Sequence, residues 1–437
     1  MKKIGLTIIP IIIRGNAETH FWPLSRESCP KAYLKIYNPK SLLQNTLIRC
    51  QYFLSQPKPV VIANIKNKFI ALSQLKEADI NDFTLILEPQ HHHIIADAII
   101  SALHVKQMLQ DDTLLLIMPV DHKIDDLDSF KKSIESGIPA ATQDKIISFG
   151  HRSTENTGIY LVKLDKFLNT FQRYAPTLYA DCEEMLLHSK KKNPLIELPL
   201  TSHLNYSPIS FEDVITHNKQ DVCAIELQCD WHDINNWQSL YQLDHKDTDG
   251  NVIHGNVTAI NTKNSYIRTE NHKLILAIGM NDCSIIETRD AILLSHNQQI
   301  DKLPDALNSM QKEGRSEATT SSTIIKPWGS FTVLESSANY QIKKIIIQPQ
   351  QSISLQEHQY RSEHWIVLKG KATVTLGHDV STVNANESIF VPIGMRHRLE
   401  NNEDNLLEII EIQTGDYLGE DDIKRYEDLY ERGCELV

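Results

Sequence analysis

From the N-terminus to about residue 245, short apolar runs rich in β-branched residues alternate with amphipathic stretches. Thr7–Ile13, Pro59–Ala63, Thr84–Leu87, Leu114–Pro119 and Gly158–Leu161 read as strands. Ser41–Leu54, Lys68–Leu75, Ala96–Leu109 and Leu127–Ser136 read as helices between them. Strands alternating with helices predict a mostly parallel sheet covered on both faces. In such sheets ligands bind beyond the carboxyl ends of the strands, so the residues following each run are the ones that carry chemistry.

The pattern then changes. A turn cluster at Asp247–Asn251 opens a series of short strands, Val252-Ile253, Val257–Ile260, Ser265–Arg268, Leu274–Ile278, Ser284–Glu287 and Ala291–Ser295, separated by Asn, Gly and Asp. This predicts a small β-helix-like module within 246–310. Gln311–Ser322 is polar, lacks apolar periodicity and is the expected linker. From 323 to 437 the chain reads as all-β: Ile342–Ile347, Glu363–Leu368, Ala372–Leu376, Ser388–Val391 and Leu406–Gln413 are strands, punctuated by Gly370, Gly377, Gly394 and Gly415. That spacing predicts a barrel or sandwich in which Gly370 closes a hairpin. Glu420–Arg432 is charged and reads as a helix packed outside it.

Composition narrows the function. With 437 residues the chain is long enough for two or three domains, and its 41% hydrophobic and 23% charged content is that of a globular protein. A formal charge of −12 argues against a broad nucleic-acid surface but leaves room for a local basic pocket. The 7 cysteines are scattered without a C-x-x-C pair, which fits a reducing cytoplasm rather than a disulfide framework or zinc ribbon. No run reaches membrane-spanning length. Lys2-Lys3 ahead of Ile4–Ile13 imitates a signal peptide, but Arg14 ends the run without a cleavage site, and a buried first strand explains it.

The densest chemistry lies in Ser354–Trp365. Gln356 and His358 are two apart and share one face of a strand, Glu363 follows a turn, and Pro392-Ile-Gly-Met-Arg-His397 comes some thirty residues later. In a barrel these strands can aim Gln356, His358, Glu363 and His397 into one cavity, a donor set suited to Zn²⁺, Mn²⁺, Fe²⁺ or Co²⁺ with positions left for substrate. The spacing resembles the two-motif signature of cupin barrels, with Gln356 in place of the first histidine. Lys326-Pro-Trp-Gly329, Arg361-Ser-Glu-His-Trp365, Arg396–Asn401 and Tyr417–Ile423 are further similar to the C-terminal domain of type II mannose-6-phosphate isomerases, over roughly residues 325–432. Glu357, Gln359 and Tyr360 depart from that family's Met-His-His run. The resemblance implies interconversion of mannose 6-phosphate and fructose 6-phosphate by proton movement between C1 and C2. Arg361, Arg398 and Arg425 are then candidates for the phosphate, and Glu411 is a further catalytic candidate.

That isomerase is usually fused to a mannose-1-phosphate guanylyltransferase, a Rossmann-like nucleotidyltransferase, and the N-terminal 245 residues resemble one. Gly15–Tyr33 is similar to its signature loop, G-G-S-G-T-R-L-W-P-L-S-R followed by P-K. Trp22–Arg26 and Pro30-Lys31 are kept, as are Gly15 and Thr19, but Asn16 and Glu18 replace glycines and His20 replaces the arginine. Glycines let backbone wrap a triphosphate closely, and arginine carries a charge that histidine mostly lacks at neutral pH. Glu88-Pro89 begins the family's E-P-x-G-R-N-T-A-P but runs into Gln90-His91-His92-His93, which reads as a solvated loop. The F-V-E-K-P segment has no counterpart between Phe149 and Gly158. Asp121 and Asp233 match the two magnesium-binding aspartates. The resemblance thus implies Gly15, Lys31, Asp121 and Asp233 as the Mg²⁺ and GTP residues.

Three readings follow. The first is a metal-dependent isomerase whose transferase domain is impaired or lost. The second keeps both activities, making GDP-mannose from GTP and mannose 1-phosphate. The third is a catalytically dead sugar-nucleotide-binding protein, against which the intact Gln356/His358/Glu363/His397 set argues. Small sugar phosphates are the expected partners in each enzyme reading, and a homo-oligomer is compatible with any of them.

Overall fold

The computed structural model describes residues 6–15, 19–55, 57–89, 94–109, 112–151, 155–200, 211, 213–214, 220–270 and 273–427. Its buried apolar runs form a nine-stranded sheet in the order Val222–Glu226, Ile146–His151, Glu155–Lys163, Thr113–Pro119, Thr7–Ile13, Val60–Asn64, Thr84–Glu88, Leu195–Glu197 and Lys190–Lys192. Thr7–Ile13 runs parallel to Val60–Asn64 on one side and to Thr113–Pro119 on the other. The chain therefore builds outward through Thr84–Glu88 and then returns to the opposite flank of its first strand. That reversal leaves a crevice between the carboxyl ends of Thr7–Ile13 and Thr113–Pro119, where Ile13 sits opposite Pro119. Gly15 and Asp121 lie two residues beyond each end.

Local chemistry explains the helices on this sheet. Leu42–Phe53 starts at Ser41 because the Ser41 hydroxyl accepts from Gln44 N (3.1 Å) while the Gln44 side chain accepts from Ser41 N (2.9 Å). Ile94–Met108 is apolar nearly all round because it packs on the sheet and against Leu164–Tyr174 and Pro176–Leu187. At one sheet edge all of Lys190–Lys192 is exposed, a charged row that discourages further strand pairing. No helix among the described residues is long and apolar enough to cross a membrane.

The module after residue 250 belongs to the same compact unit, Met1–Thr320. Val252–His254, Tyr266–Thr269 and Cys283–Glu287 stack in parallel, as do Val257–Ile260 and Ile275–Ile278, around Ile267, Ala277 and Ile285. The stretch expected as linker, Gln311–Ser322, has local structure: its first two residues end the helix Leu303–Lys312, Ser316–Ala318 forms a 3₁₀ turn, and Trp22 Nε1 donates to the Glu317 carbonyl (2.9 Å). That tie to a buried indole, which polarity alone does not reveal, holds the segment down.

The second unit, Ser321–Val437, is two β-sheets facing each other. One runs Thr323–Lys326, Gly329–Ser336, Tyr340–Ile347, Leu407–Gly415, Arg361–Lys369 and Ser388–Val391. The other runs Asp379–Asn384, Lys371–Leu376, His397–Asn401, Gln356–His358 and Ile423–Arg425, with Gln351–Ser352 beside His397–Asn401. Two expectations are corrected. Gly370 (φ +89°) closes no hairpin; the chain there crosses from one sheet to the other. Nor does a long helix run from Glu420: Glu420–Asp422 is a single 3₁₀ turn, and Ile423–Arg425 is a strand that satisfies the open edge of Gln356–His358, with Lys424 opposite Glu357 and their charges 3.2 Å apart. The remainder of that predicted helix, from 428 on, lies outside the described residues.

Candidate active sites

In the second unit one strand face carries both core and chemistry. Along Arg361–Lys369 the inward positions are Arg361, Glu363, Trp365 and Val367; along Leu407–Gly415 they are Leu407, Ile409, Glu411 and Gln413. The antiparallel register sets Glu363 opposite Gln413 and Trp365 opposite Glu411. Trp365 Nε1 donates to Glu363 Oε2 (3.0 Å) and Glu411 Oε2 (3.1 Å), while Gln413 Nε2 donates to Glu363 Oε1 (3.1 Å) and Glu411 Oε1 (2.8 Å). Two shared donors thus bridge a buried carboxylate pair. The facing sheet adds His358, whose Nε2 stands 3.1 Å from Glu363 Oε1, and His397, whose Nε2 stands 3.7 Å from Glu363 Oε2. Gln356 pairs in register with His397 and lines one cavity with Glu363, Glu411 and Gln413.

The electrostatics favour a cation here. His397 Nδ1 lies 2.8 Å from the Met395 carbonyl, which can only accept, so Nδ1 carries the proton and Nε2 presents a lone pair toward Glu363. His397 Nε2 and His358 Nδ1 have no hydrogen-bond partner although buried. Ligand atoms of His358, Glu363 and His397 lie within 4.8 Å of one another. Burial alone would push the Glu363 carboxyl up, but His358, His397 and Arg361 reverse this and hold it well below the usual carboxylate range. Burial and the charge of Glu363 push Glu411 up to about 8. A charged and a neutral carboxyl therefore share one cage at neutral pH, and a divalent ion fits the ligand atoms facing it.

The three arginines separate. Arg361 is buried, with Nε 3.5 Å from Glu363 Oε1 and Nη1 donating to the Gly419 carbonyl (2.8 Å). Arg425 lines the cavity, and its Nε has no hydrogen-bond partner. Arg398 does not join them. It follows inward-facing His397 on a strand, so it points the opposite way, to Glu400 (3.8 Å) and Glu427. Lys326 and Lys343 also line the cavity, a feature that sequence reasoning missed. Lys343 sits inward in the alternating run Tyr340–Ile347, the signal that could have revealed it.

In the first unit, the crevice at the sheet reversal holds Gly15, Lys31, Asp121 and Asp233. Buried Lys31 Nζ donates to Asp121 Oδ2 (2.8 Å) and to the Ile234 carbonyl (3.2 Å). A methyl built on Gly15 would lie 1.8 Å from Asp121 Oδ2, so this position needs glycine. Asp233 comes from Trp231–Asp233, which pairs antiparallel with His122–Ile124. Burial and the Asp121 charge raise Asp233 to about 6, and burial lowers neighbouring His122 to about 4. Burial, then Lys31, lowers His20 as well. Asn16, Glu18 and His91–His93 lie outside the described residues. Two features escaped sequence reasoning. Arg14 meets buried Glu88 (3.1 Å) and Asp97 (3.3 Å) at the strand ends. Arg49, from Leu42–Phe53, donates to the His122 carbonyl (3.0 Å). Its place beside Thr46 on the helix's buried face was the available signal.

Comparison with known proteins accords with these geometries. A family model described as "Mannose-6-phosphate isomerase C-terminal" matches residues 313–428, and one described as "Nucleotidyl transferase" matches residues 9–171. The xanthan biosynthesis protein XanB of Xanthomonas campestris is 30% identical over 467 residues, covering 97% of this chain and 99% of that protein. Mannose-1-phosphate guanylyltransferase 2 of Escherichia coli is 32% identical over 476 residues, covering 97% and 98%. Among solved structures, a mannose-1-phosphate geranyltransferase from Thermus thermophilus is similar with a TM-score of 0.59 at 16% identity, covering 70% of this chain and 99% of that one, a likeness of fold.

Proposed function

The chain belongs to the bifunctional mannose-1-phosphate guanylyltransferase/mannose-6-phosphate isomerase family of GDP-mannose and polysaccharide-precursor synthesis, and from that premise we propose that its second unit is a metal-dependent mannose-6-phosphate isomerase while guanylyl transfer in its first unit is impaired or lost. The observation that carries the isomerase reading is the unprotonated His397 Nε2 facing Glu363, a carboxylate that itself lines a cavity with Lys326, Lys343, Arg361 and Arg425. Gln356, His358, Glu363 and His397 would hold a Zn²⁺, Mn²⁺, Fe²⁺ or Co²⁺ ion, which when bound stabilises negative charge on the sugar oxygens at C1 and C2. Glu411, a buried carboxyl that lines the cavity beside Glu363, can take a proton from one carbon and return it to the other. Trp365 and Gln413 fix its carboxyl. Arg425 lines the cavity with an unpartnered Nε and suits the substrate phosphate. Arg361 positions Glu363, and Arg398 has no part.

Impairment of the first unit is supported by Asn16, Glu18 and His20 in the signature loop and by the short connection between Phe149 and Gly158. The assembled Lys31, Asp121 and Asp233 favour a second reading, an active transferase in which these residues bind Mg²⁺ and GTP. One experiment separates them: coupled assays of the purified protein for both reactions, with metal analysis. Metal-dependent isomerisation that chelation abolishes, with pyrophosphate release from GTP and mannose 1-phosphate near background, is expected. Ordinary pyrophosphate release overturns the impairment, and metal-replete protein without isomerase activity overturns the isomerase.

A further inference from the structure

The acidic pair of the first unit has a neighbour whose role neither reading uses. Resting on the reading that Asp121 and Asp233 form a cation site, we propose that His122 is its third ligand, so that the site takes a borderline divalent cation, Mn²⁺, in preference to Mg²⁺. Asp233 and His122 are directly opposite in an antiparallel pair, which puts their side chains on one face. His122 is only 3% exposed, its Nε2 stands 4.0 Å from Asp121 Oδ1, and its Nδ1 has no hydrogen-bond partner. Asp233 Oδ1 is equally unpartnered. One ligand atom from each of Asp121, His122 and Asp233 can be chosen within 4.8 Å of the others.

The surroundings hold the imidazole in place. Its ring meets Trp231 edge-on at 5.2 Å, and its carbonyl accepts from Arg49. Lys31 occupies Asp121 Oδ2, so Oδ1 is the oxygen left facing the ring. A buried histidine kept for packing would satisfy both nitrogens from the protein; this one leaves Nδ1 unpartnered and holds Nε2 4.0 Å from Asp121 Oδ1. Two carboxylates alone suit Mg²⁺, a hard ion that prefers oxygen and water, whereas adding an imidazole shifts the preference toward Mn²⁺.

The test uses the full-length chain carrying His358→Ala and His397→Ala, which silences the barrel ligands, titrated with Mn²⁺ alone and with Mg²⁺ as competitor. We expect one Mn²⁺ per chain with histidine nitrogen coupling in pulsed EPR. His122→Gln should weaken Mn²⁺ binding at least about tenfold while changing Mg²⁺ binding less than about threefold. Bound Mn²⁺ without nitrogen coupling overturns the inference, and so does unchanged binding in a folded His122→Gln protein. If Asp121→Asn nevertheless abolishes binding, the acidic-pair reading survives that failure. Absence of Mn²⁺ binding, or binding that survives both Asp121→Asn and Asp233→Asn, removes the acidic-pair reading and the inference with it. The EPR measurement needs no change at 122, so it decides the matter even if His122→Gln fails to fold.

Discussion

Replacing Gly15 by alanine adds only a methyl group, yet the crevice gives a definite expectation for it. The φ of Gly15 lies outside the left-handed region, so the backbone itself accepts alanine and the effect isolates the side chain. The new methyl would stand 1.8 Å from Asp121 Oδ2 and 2.2 Å from Cγ. Ordinary contact distances are about 3.4 Å, so the carboxylate must retreat by roughly 1.5 Å. The Lys31–Asp121 pair, now 2.8 Å, lengthens accordingly. At an effective dielectric constant of about 20, stretching it to about 4.3 Å forfeits about 2 kcal/mol, and local overpacking adds about 1. Lys31 keeps the Ile234 carbonyl, which limits the loss. Urea unfolding read through Trp22, Trp231 and Trp237 should therefore show the first unit destabilised by about 3 kcal/mol. In an Asp121→Ala background the clashing atoms are gone, and the same substitution should cost less than half as much. A Gly15→Ala protein within about 0.5 kcal/mol of the parent would refute the close approach on which this reasoning depends.

Three further outcomes are expected. Arg425→Ala should raise KM for mannose 6-phosphate by about tenfold or more, as loss of a charge-assisted contact does, while Arg398→Ala leaves it unchanged; the reverse result would reassign the phosphate site. Glu411→Gln should lower kcat by about 10² or more with metal content retained; full turnover would remove Glu411 from the proton path. His104 sits 3.3 Å from Thr84 Oγ1, and burial, then Lys191, lowers it to about 4. Its folded pKa lies below the unfolded value, so its contribution to stability is complete above about pH 6.5 and is lost as pH falls toward 4. Between pH 7 and 5 the parent should lose up to about 2 kcal/mol more than His104→Gln; equal slopes in urea melts would contradict the depressed pKa.

Much of this was legible because of period-two and parallel-sheet signals. Runs such as Ile8–Ile13 and Leu114–Met118 are short, apolar and, in the first case, rich in isoleucine, as a strand buried on both faces requires, and the structure has them side by side. Gln356, His358, Glu363 and His397 were readable as one cluster because Gln356 and His358 are two apart on one strand, while Glu363 lies on an alternating strand and His397 follows the Pro392-Ile-Gly394 turn. The same rule, applied once more, would have turned Arg398 outward, since its neighbour His397 points in. Arg425 could not be graded this way. Its three-residue strand is too short for periodicity and exists only because Gln356–His358 offers an unpaired edge. Arg14, too, needed the sheet: Glu88 and Asp97 are 74 and 83 residues away in the chain and meet it only through strand order.

The shared inward row of Arg361–Lys369 and Leu407–Gly415 also protects against mispairing. Slipping either strand by one residue would expel Trp365 and Val367, or Leu407 and Ile409, from the apolar end, and in the same step turn Glu363, or Glu411 and Gln413, out to water. An intermediate with a packed interior but a scrambled cage is therefore excluded by the alternation itself. Substitutions at Val367, Leu407 and Ile409, none of which supplies a ligand atom, should act as a quality check on the cage: whatever loosens register there disarms the chemistry before an unpaired carboxylate can be stranded in oil.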